Sequence, residues 1–520
     1  MIHDASLLTK DLLLEGDVAI VGTGAGGGTA AEILSHAGLR VILIEEGALR
    51  SARDFHMLER EAYPDLYQES AARKTKDKGI TILQGRTVGG STTVNWTSSF
   101  RTPPETLEYW RTKFGLSGYS PDALAPWFER MEQRLNIHPW PLPPNENNAA
   151  LQRGAAKLGI ATHVIPRNVK GCWNLGYCGM GCPTNAKQSM LITTIPSALR
   201  SGAVLVTRAR AERISFAGSR ASEVVARALR PDGITPSPYA VTVRAAHIVL
   251  AGGAIGTPAL LLRSEVPDPY ARIGKRTFLH PVAVSTALFG REIRAFSGAP
   301  QSIYSDHFLH TQSIDGPIGY KLEVPPIHPV LMSTAYTGFG VEHARVMAQA
   351  PHAQAIIALM RDGFHESSPG GSVGLRGDGT PVLDYPITPY VWDGLRRSLD
   401  TMAQIQFSAG ARSVMPLHEN ARAYRSFDEA RAAIAALPME ILRMRVMSAH
   451  VMGGSAMGTD EKASVVDAGG RFHHLENVFV FDGSVFPTSV GANPQLSIYG
   501  ITARNASRLA EQIGGNRLTH

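Results

Sequence analysis

Long apolar stretches are missing from this sequence of 520 residues. No run of apolar residues reaches the length that a membrane-spanning helix needs. The first residues, MIHDASLLTKDLLLEGD, place charged side chains among a few leucines, unlike the apolar centre of a secretory signal. These absences predict a protein without a transmembrane segment, and we expect a cytoplasmic location.

A dense cluster of basic residues is missing as well. The formal net charge is +6, but the excess of lysine and arginine is spread along the chain. Proteins that bind nucleic acid usually concentrate basic side chains on one segment or one face. The charge pattern therefore predicts that nucleic acid is not a partner.

Cysteine is scarce, and its few positions lie close together. The three cysteines are Cys172, Cys178 and Cys182, all within the stretch GCWNLGYCGMGCPTNAK. Cysteine chemistry leaves three interpretations open: a disulfide with one thiol left over, a metal or iron–sulfur site, or small packing residues. So few cysteines suit a reducing compartment, where a structural disulfide is rare.

The length and the apolar content predict a globular protein of at least two domains. A chain of 520 residues exceeds what one hydrophobic core usually fills. Hydrophobic residues make up 44% of the chain, which is enough to supply the cores. The motifs along the chain must therefore be assigned to separate domains.

A glycine-rich turn between two apolar segments lies near the start of the chain. The stretch DVAIVGTGAGGGTAAEILSHAGLRVILIEEG predicts a strand at 17–21, a helix at about 25–37 and a second strand at 40–44. Strand, glycine turn, helix and strand in this order form the βαβ unit that binds dinucleotides. The segment therefore predicts a dinucleotide cofactor.

Individual residues of this unit have expected roles. Gly22 allows the tight turn, Gly24 lets a pyrophosphate approach the backbone at the helix N-terminus, and Gly27 lets helix and strand pack closely. Glu45 follows the second strand and is expected to accept hydrogen bonds from an adenosine ribose. We prefer Glu45 to Glu46 because Glu45 comes directly after the apolar strand.

Four further segments extend this pattern along the chain. They are GRTVGGSTTVNW at 85–96, HIVLAGGAIGTPALLL at 247–262, HVMGGSAMGTD at 450–460, and the closing stretch that begins VFVFDGSVFPTSVGANPQLS. Together with the first βαβ unit, their order and spacing resemble the glucose–methanol–choline (GMC) family of FAD-dependent oxidoreductases. The resemblance implies FAD as cofactor and oxidation of an alcohol to an aldehyde or ketone by hydride transfer to flavin N5.

The resemblance also implies a fold class and a domain plan. We expect an α/β protein with a discontinuous, Rossmann-like FAD-binding domain and a substrate domain built on an antiparallel sheet flanked by helices. The FAD motifs place the first domain at 1–100, 161–290 and 441–520. The substrate-binding domain is expected at 101–160 and 291–440, where these motifs are absent.

The family's cofactor-binding positions are matched at many residues of this chain. By resemblance, FAD is expected to contact Gly22, Gly24, Gly27, Glu45, Arg86, Gly89, Gly90, Ser91, Asn95, Asp482, Gly483, Pro494 and Gln495. One position departs from some members, which attach FAD covalently through a histidine just before the asparagine of the 85–96 loop. Here that position is Val94, whose hydrocarbon side chain cannot form the link, so FAD is expected to bind noncovalently.

Two catalytic residues follow from the same resemblance. His450 matches the active-site histidine, and Asn493 lies where members carry a second histidine or an asparagine. An imidazole that titrates near neutrality suits a base or polariser for the alcohol hydroxyl, and Asn493 can bind the same oxygen. The fold also supports non-redox lyases and a decarboxylase, and a binding-only flavoprotein would keep the glycine motifs without the catalytic pair.

The C-terminal stretch NPQLSIYGITARNASRLAEQI predicts a helix that begins beside this site. Asn493 can be its N-cap and Pro494 its first residue, with apolar positions at helical spacing. As in the family, the N-terminal end of such a helix would favour negative charge on a reduced flavin.

The cysteines can be interpreted through the same family. The sequence after Cys182 resembles long-chain alcohol oxidases, whereas the C-x5-C-x3-C spacing is also that of sugar dehydrogenases with a three-iron cluster. We favour the likeness to the long-chain alcohol oxidases, which implies no metal site. Electrons are then expected to pass directly from the flavin to oxygen, a quinone or another small acceptor. A haem-protein partner is expected only if a cluster is present. The sequence does not identify the alcohol.

Overall fold

The computed structural model describes residues 1–514, so residues 515–520 of the last predicted FAD segment lie outside the described residues. Within residues 1–514 the strands are, in chain order, β1 (Ile2–Asp4), β2 (Leu12–Val21), β3 (Val41–Ile44), β4 (Ile80–Ile82), β5 (Ile137–Pro139), β6 (His163–Val164), β7 (Pro166–Asn168), β8 (Val204–Thr207), β9 (Ala209–Ala217), β10 (Arg220–Leu229), β11 (Pro236–Leu250), β12 (Lys275–Phe278), β13 (Val282–Leu288), β14 (Ile303–Ser305), β15 (Tyr320–Glu323), β16 (Ala353–Met360), β17 (Gly371–Leu375), β18 (Pro381–Asp384), β19 (Ser413–Pro416), β20 (Val446–Ser448), β21 (Met452–Gly453) and β22 (Val478–Val480).

The α-helices of the same range connect and cover these strands. They are α1 (Ala25–His36), α2 (Glu59–Leu66), α3 (Ser91–Val94), α4 (Pro104–Phe114), α5 (Pro121–Arg134), α6 (Glu146–Lys157), α7 (Thr194–Arg200), α8 (Gly253–Arg263), α9 (Pro329–Ala335), α10 (Gly340–Met347), α11 (Pro389–Ser408), α12 (Phe427–Ala436) and α13 (Gln495–Gln512). Among residues 1–514, no helix combines the length and the apolar character needed to cross a bilayer.

The first large sheet confirms the predicted βαβ unit as β2, α1 and β3. Its strand order is β1, β8, β3, β2, β11, β10 and β9, with β22 also paired to β11. Neighbours among β1, β8, β3, β2 and β11 pair in parallel, and β22 pairs in parallel with β11. The strands β9, β10 and β11 form an antiparallel meander. Because parallel strands end at the same edge, the glycine turn after β2 and the segment after β22 meet there.

The second large sheet is almost entirely antiparallel. Its order is β4, β20, β13, β16, β15, β14 and β6, with β19 also paired to β13, and only β4 and β20 run parallel. The long helix α11 packs against β13 and β16. A parallel dinucleotide-binding sheet beside a helix-flanked antiparallel sheet confirms the predicted fold class.

Two hydrophobic cores correspond to the two sheets, one around the β2–β3 region and one around β13 and β16. The range 101–160 is divided between them. Leu107 and Phe128, on α4 and α5, belong to the first core, whereas Leu151 on α6 belongs to the second. The exact boundaries of the two domains stay a prediction.

Candidate active site

The turn between β2 and α1 is closed by direct backbone packing. Gly22 has a φ of +97°, and a Cβ atom there would lie 2.3 Å from the carbonyl oxygen of Ala251. A Cβ at Gly27 would lie 2.0 Å from the carbonyl oxygen of Gly22. Side chains at these two positions would collide with the backbone, so the turn at Gly22 and the close approach at Gly27 both require glycine.

The loop after β4 approaches this turn at Gly24 and Gly90. Gly24 is the N-cap of α1, and a Cβ there would find only the Cα of Gly90, at 3.9 Å. The backbone N–H of Gly89 donates to the hydroxyl of Thr23 at 3.0 Å, which ties the two loops together. The helix N-terminus is thus bordered by bare backbone, and this arrangement fits a pyrophosphate group of FAD.

Glu45 lies at the same edge, where it is only 6% exposed. Its carboxylate accepts hydrogen bonds from the backbone N–H of Thr23 at 3.1 Å and from the backbone N–H of Gly47 at 2.8 Å. The Thr23 hydroxyl donates to it as well. Burial raises the pKa of Glu45 to about 6. The carboxylate is therefore held against the glycine turn, as a ribose ligand requires, and Glu46 takes no part in these contacts.

Two predicted residues of the 85–96 loop make contacts within the protein. Arg86 donates through Nη1 to the carbonyl oxygen of Gly233 at 2.7 Å, while its Nε is buried without a partner among the described residues. The Ser91 hydroxyl accepts from the backbone N–H of Gly85 at 2.9 Å. These bonds fix the loop that passes the glycine turn.

The end of this loop is joined to the C-terminal helix. Asn95 donates through Nδ2 to Oε1 of Gln495 at 2.7 Å. The Gln495 amide donates in turn to the carbonyl oxygen of Ser98 at 2.8 Å and to the Ser99 hydroxyl at 2.9 Å. Pro494 precedes Gln495 as the N-cap of α13. The structure therefore brings together predicted residues that are about four hundred positions apart.

Lys187 binds the backbone of the 85–96 loop, a contact that was not anticipated from the sequence. Its side chain is 3% exposed, and Nζ donates to the carbonyl oxygens of Thr93 at 2.9 Å, Asn95 at 2.6 Å and Cys178 at 2.6 Å. Burial lowers the pKa of Lys187 to about 8. One ammonium group thus connects the 85–96 loop with the cysteine segment.

Asp482 stabilises the edge of the first sheet after β22. Its carboxylate accepts from the backbone N–H groups of Gly253 and Ser484, both at 2.8 Å, and from the Thr257 hydroxyl at 2.6 Å. Burial raises the pKa of Asp482. Gly483 is buried beside it. Asp482 therefore joins the start of α8 to the late segment that was predicted to return to the cofactor.

His450 follows β20 and meets a second histidine, His280, which lies between β12 and β13. Their Nδ1 atoms are 3.1 Å apart, and the backbone N–H of Gly491 donates to Nε2 of His280 at 3.1 Å. A neutral His280 that accepts at Nε2 carries its proton on Nδ1 and donates it to Nδ1 of His450. The contacts therefore favour the His450 tautomer with its proton on Nε2.

Both imidazoles are held in the neutral form. Burial lowers the pKa of His450 to about 4, with smaller opposing effects from Glu323, which raises it, and Lys321, which lowers it. Burial, followed by the charges of His450 and Lys321, lowers the pKa of His280 well below its usual range. The carboxylate of Asp362 accepts from the backbone N–H of His280 at 3.1 Å and fixes its position.

Asn493 corrects one prediction, because it does not cap α13. Its side chain instead accepts at Oδ1 from Lys321 Nζ at 2.9 Å and donates through Nδ2 to Glu323 at 3.2 Å. The helix begins at Gln495 without a side-chain cap. The amide binds two buried charges instead of the backbone N–H groups at the start of the helix, because charged partners make stronger hydrogen bonds.

Lys321 and Glu323 are thus the unanticipated charged residues of the site. The ammonium group of Lys321 lies 3.1 Å from the ring centroid of Phe100 and 4.5 Å from that of Tyr304. Aromatic faces attract cations, which partly offsets the loss of water around a buried ammonium. Both charges alternate with apolar residues on β15, where the sequence pattern alone indicates an ordinary strand.

The three cysteines are free thiols of intermediate exposure. Arg167, which is fully buried, points Nη2 toward Cys178 Sγ at 3.6 Å. Within residues 1–514, no group of three or more His, Cys, Asp or Glu side chains is arranged to hold a metal ion. The interpretation of Cys172, Cys178 and Cys182 as ligands or as packing residues stays a prediction.

Comparison with known proteins gives the family. Sequence patterns described as GMC oxidoreductase match residues 63–282 and 367–502. An uncharacterized GMC-type oxidoreductase of Mycobacterium tuberculosis is 34% identical over 96% of this chain and 77% of its own length. A long-chain-alcohol oxidase of Arabidopsis thaliana is 28% identical over 96% of this chain and 67% of its own length.

Solved structures agree with the fold. The crystal structure of pyridoxine 4-oxidase from Mesorbium loti aligns with a TM-score of 0.69 at 20% identity, over 95% of this chain and 98% of that one. A formate oxidase structure aligns with a TM-score of 0.68 at 14% identity, over 97% of this chain and 99% of that one. With the glycine cradle and two matched sequence regions, these comparisons identify the chain as a member of the GMC oxidoreductase family, with FAD as its cofactor.

Proposed function

We propose that the protein oxidises an alcohol to an aldehyde or ketone, with His450 and Asn493 binding the reacting hydroxyl. The observation that carries this proposal is the position of segment 491–495, which is bound at one end to the cofactor loop and at the other end to His280, the partner of His450. Asn95 at the end of that loop binds Gln495, and Asn493 lies two positions before Gln495. When bound, FAD supplies an acceptor for the hydride of the carbinol carbon.

The favoured tautomer gives His450 a defined role toward the substrate. In this tautomer Nε2–H donates to the hydroxyl oxygen and orients it. In the opposite tautomer Nε2 carries a lone pair, and it receives the hydroxyl proton as the hydride leaves the carbinol carbon. For His450 to accept the hydroxyl proton, the two imidazoles must first exchange tautomers, and Gly491 then loses its acceptor on His280. The amide of Asn493 keeps one N–H that can bind the same oxygen.

The substrate and the final electron acceptor are proposed from the relatives. Several relatives are long-chain-alcohol oxidases, which supports a small-molecule alcohol, of a chain length still to be determined, as substrate and oxygen as the acceptor. A quinone or another small molecule is the alternative acceptor, in which case the enzyme is an alcohol dehydrogenase. We further propose noncovalent FAD, since Val94 offers no atom for a covalent bond, and a cytoplasmic location.

Anaerobic mixing tests the reaction. Purified protein is mixed without oxygen with aliphatic, aromatic, terpenoid and sugar alcohols while the flavin absorbance is followed. We expect at least one class to bleach the flavin and to yield the corresponding carbonyl product. Product formation while the flavin stays oxidised would show a lyase or decarboxylase instead. If no class bleaches the flavin or yields product, the proposal is wrong.

Acid precipitation tests how the cofactor is attached. We expect the yellow colour to pass into the supernatant when the protein is precipitated, because the residue directly before Asn95 is Val94 and not a histidine. Colour that remains in the pellet would show a covalent link through another side chain.

A further inference from the structure

The ion pair of Lys321 and Glu323 lies on one face of β15. The two side chains are 3% and 0% exposed, and Nζ lies 2.9 Å from a carboxylate oxygen. Removing two charges from water is unfavourable, and their attraction offsets this only when further polar contacts are made. Asn493 forms a hydrogen bond with each member of this pair, so the two charged side chains and the amide form one hydrogen-bonded unit.

Each end of the Asn493 amide is bound by one member of the pair. The carbonyl oxygen accepts from Lys321 at 2.9 Å, and the amide nitrogen donates to Glu323 at 3.2 Å. Reversing the amide would set its nitrogen against the ammonium and its oxygen against the carboxylate. The two charges therefore fix which end of the amide is the donor, and they leave one N–H for a substrate oxygen.

The same two charges act on His450 in opposite directions. Glu323 raises the pKa of His450 and Lys321 lowers it. The other titratable group that faces His450 is His280, which is neutral for the reasons given above. The effect of Glu323 on the pKa of His450 thus offsets part of the effect of Lys321, so removing either residue alone changes the charge balance at His450.

We propose that Lys321 and Glu323 are positioning residues for alcohol oxidation, which orient the Asn493 amide and balance the charge beside His450. This inference rests on the proposed function, since it assigns His450 and Asn493 to the reacting hydroxyl. It adds two functional residues, which act through Asn493 and His450 and are not proposed to contact the substrate.

Histidine NMR of the FAD-bound enzyme measures the charge balance without any turnover. The protein is labelled with [13C]histidine, and the signal of His450 is assigned by its loss in His450→Asn. We expect Lys321→Met to raise the pKa of His450 by about 1, because a nearby cation is removed. Glu323→Gln is expected to keep His450 neutral at the lowest pH at which the variant stays folded. In the double variant the pKa should return close to the wild-type value.

Anaerobic flavin reduction measures the orientation of the amide. In the double variant we expect reduction about 10-fold slower than in the wild type, because Asn493 has lost both of the charged partners that fix its orientation. Lys321→Arg keeps the positive charge with different geometry, so it should keep the pKa of His450 while slowing reduction. The exposed pair Lys76–Asp384, whose atoms lie 3.0 Å apart, provides the control, and Lys76→Met with Asp384→Asn should change neither readout.

The outcomes separate this inference from the proposed function. Shifts of the His450 pKa in the same direction for both single variants, or no shift in either, would overturn the charge balance. A double variant that reduces its flavin at the wild-type rate would overturn the role in orienting Asn493. If a single variant does not fold, Lys321→Arg and the double variant decide. Failure of the proposed function is recognised separately, by a wild-type flavin that no alcohol reduces.

Discussion

Nδ1 of His280 lies 3.1 Å from Nδ1 of His450, while the opposite nitrogen of His280 accepts from the backbone of Gly491. Two imidazoles in contact through nitrogen atoms require one to donate and the other to accept. Because Gly491 occupies the acceptor side of His280, the direction of this hydrogen bond is set by a backbone group. His280 therefore determines which nitrogen of His450 carries the proton.

Replacing His280 is expected to release this constraint. In His280→Leu, His450 loses the donor to its Nδ1, and we expect its proton to be shared between both ring nitrogens. Flavin reduction should slow by about 10-fold, because the imidazole of His450 is no longer held in one orientation, and this loss is smaller than on removal of His450 itself. Nitrogen NMR of labelled histidine reports the tautomer, and stopped-flow absorbance reports the rate. A His450 tautomer that is unchanged in this variant would contradict the assignment.

Removing His450 is expected to have the larger effect. We expect His450→Ala to retain FAD but to slow flavin reduction by about 100-fold or more, the usual scale for a positioned acid–base group. Asn493→Ala should lose less rate but weaken substrate binding. Both are measured by the substrate dependence of anaerobic reduction. Rates close to the wild type in His450→Ala would remove this residue from the mechanism.

The rate of flavin reduction is expected to depend on pH through His450. Burial lowers the pKa of His450 to about 4, so the imidazole is neutral at pH 6 and above. Protonation leaves no lone pair to receive the hydroxyl proton, and we expect the rate to fall as the pH drops through about 4. Reduction rates at constant ionic strength give this profile. A flat profile in protein that stays folded would instead leave His450 as a polariser only.

Glu45 is expected to control FAD affinity. In Glu45→Gln we expect the dissociation constant of FAD to rise about 10-fold, because the ribose hydroxyls lose a charged acceptor. The pKa of Glu45 is raised to about 6, so affinity in the wild type should fall as the pH drops through about 6. Fluorescence of released FAD measures both effects. The neighbouring Glu46→Gln is the matched control and should bind like the wild type.

The cysteine segment is expected to carry no iron–sulfur cluster. Protein purified without oxygen should contain iron and acid-labile sulfide far below one equivalent, because its electrons are proposed to leave the flavin directly. About three irons per chain, with a paramagnetic signal lost in Cys178→Ser, would show a three-iron cluster. In that case a protein acceptor would replace oxygen or a quinone in the proposed reaction.

The parts of the fold that follow local rules could be predicted from the sequence. The strand before Gly22 is extended to residue 12 by pairing with β11, but its end, the helix and the next strand lie within a residue or so of expectation. Glycines, apolar periodicity and an acidic residue at a strand end are local features, and they were sufficient for a dinucleotide-binding unit. FAD and the family followed from the resemblance carried by the longer series of motifs.

The charged part of the site could not be predicted in this way. Lys321 and Glu323 alternate with apolar residues on a short strand, a pattern typical of a strand with one face in water. Only the tertiary structure covers that face and turns it toward Asn493. The assignment of Asn493 as an N-cap was wrong for the same reason, since local capping preferences take no account of distant charges.

The hydrogen bond between Asn95 and Gln495 has a consequence for biosynthesis. The two residues are 400 positions apart, so at about 5–20 residues per second the ribosome needs roughly 20–80 seconds to make the second after the first. Throughout that time the nascent chain already has its glycine turn but lacks the helix that completes the cofactor loop. We therefore expect a chain that ends before α13 to bind FAD more weakly than the full chain, because Asn95 lacks its partner.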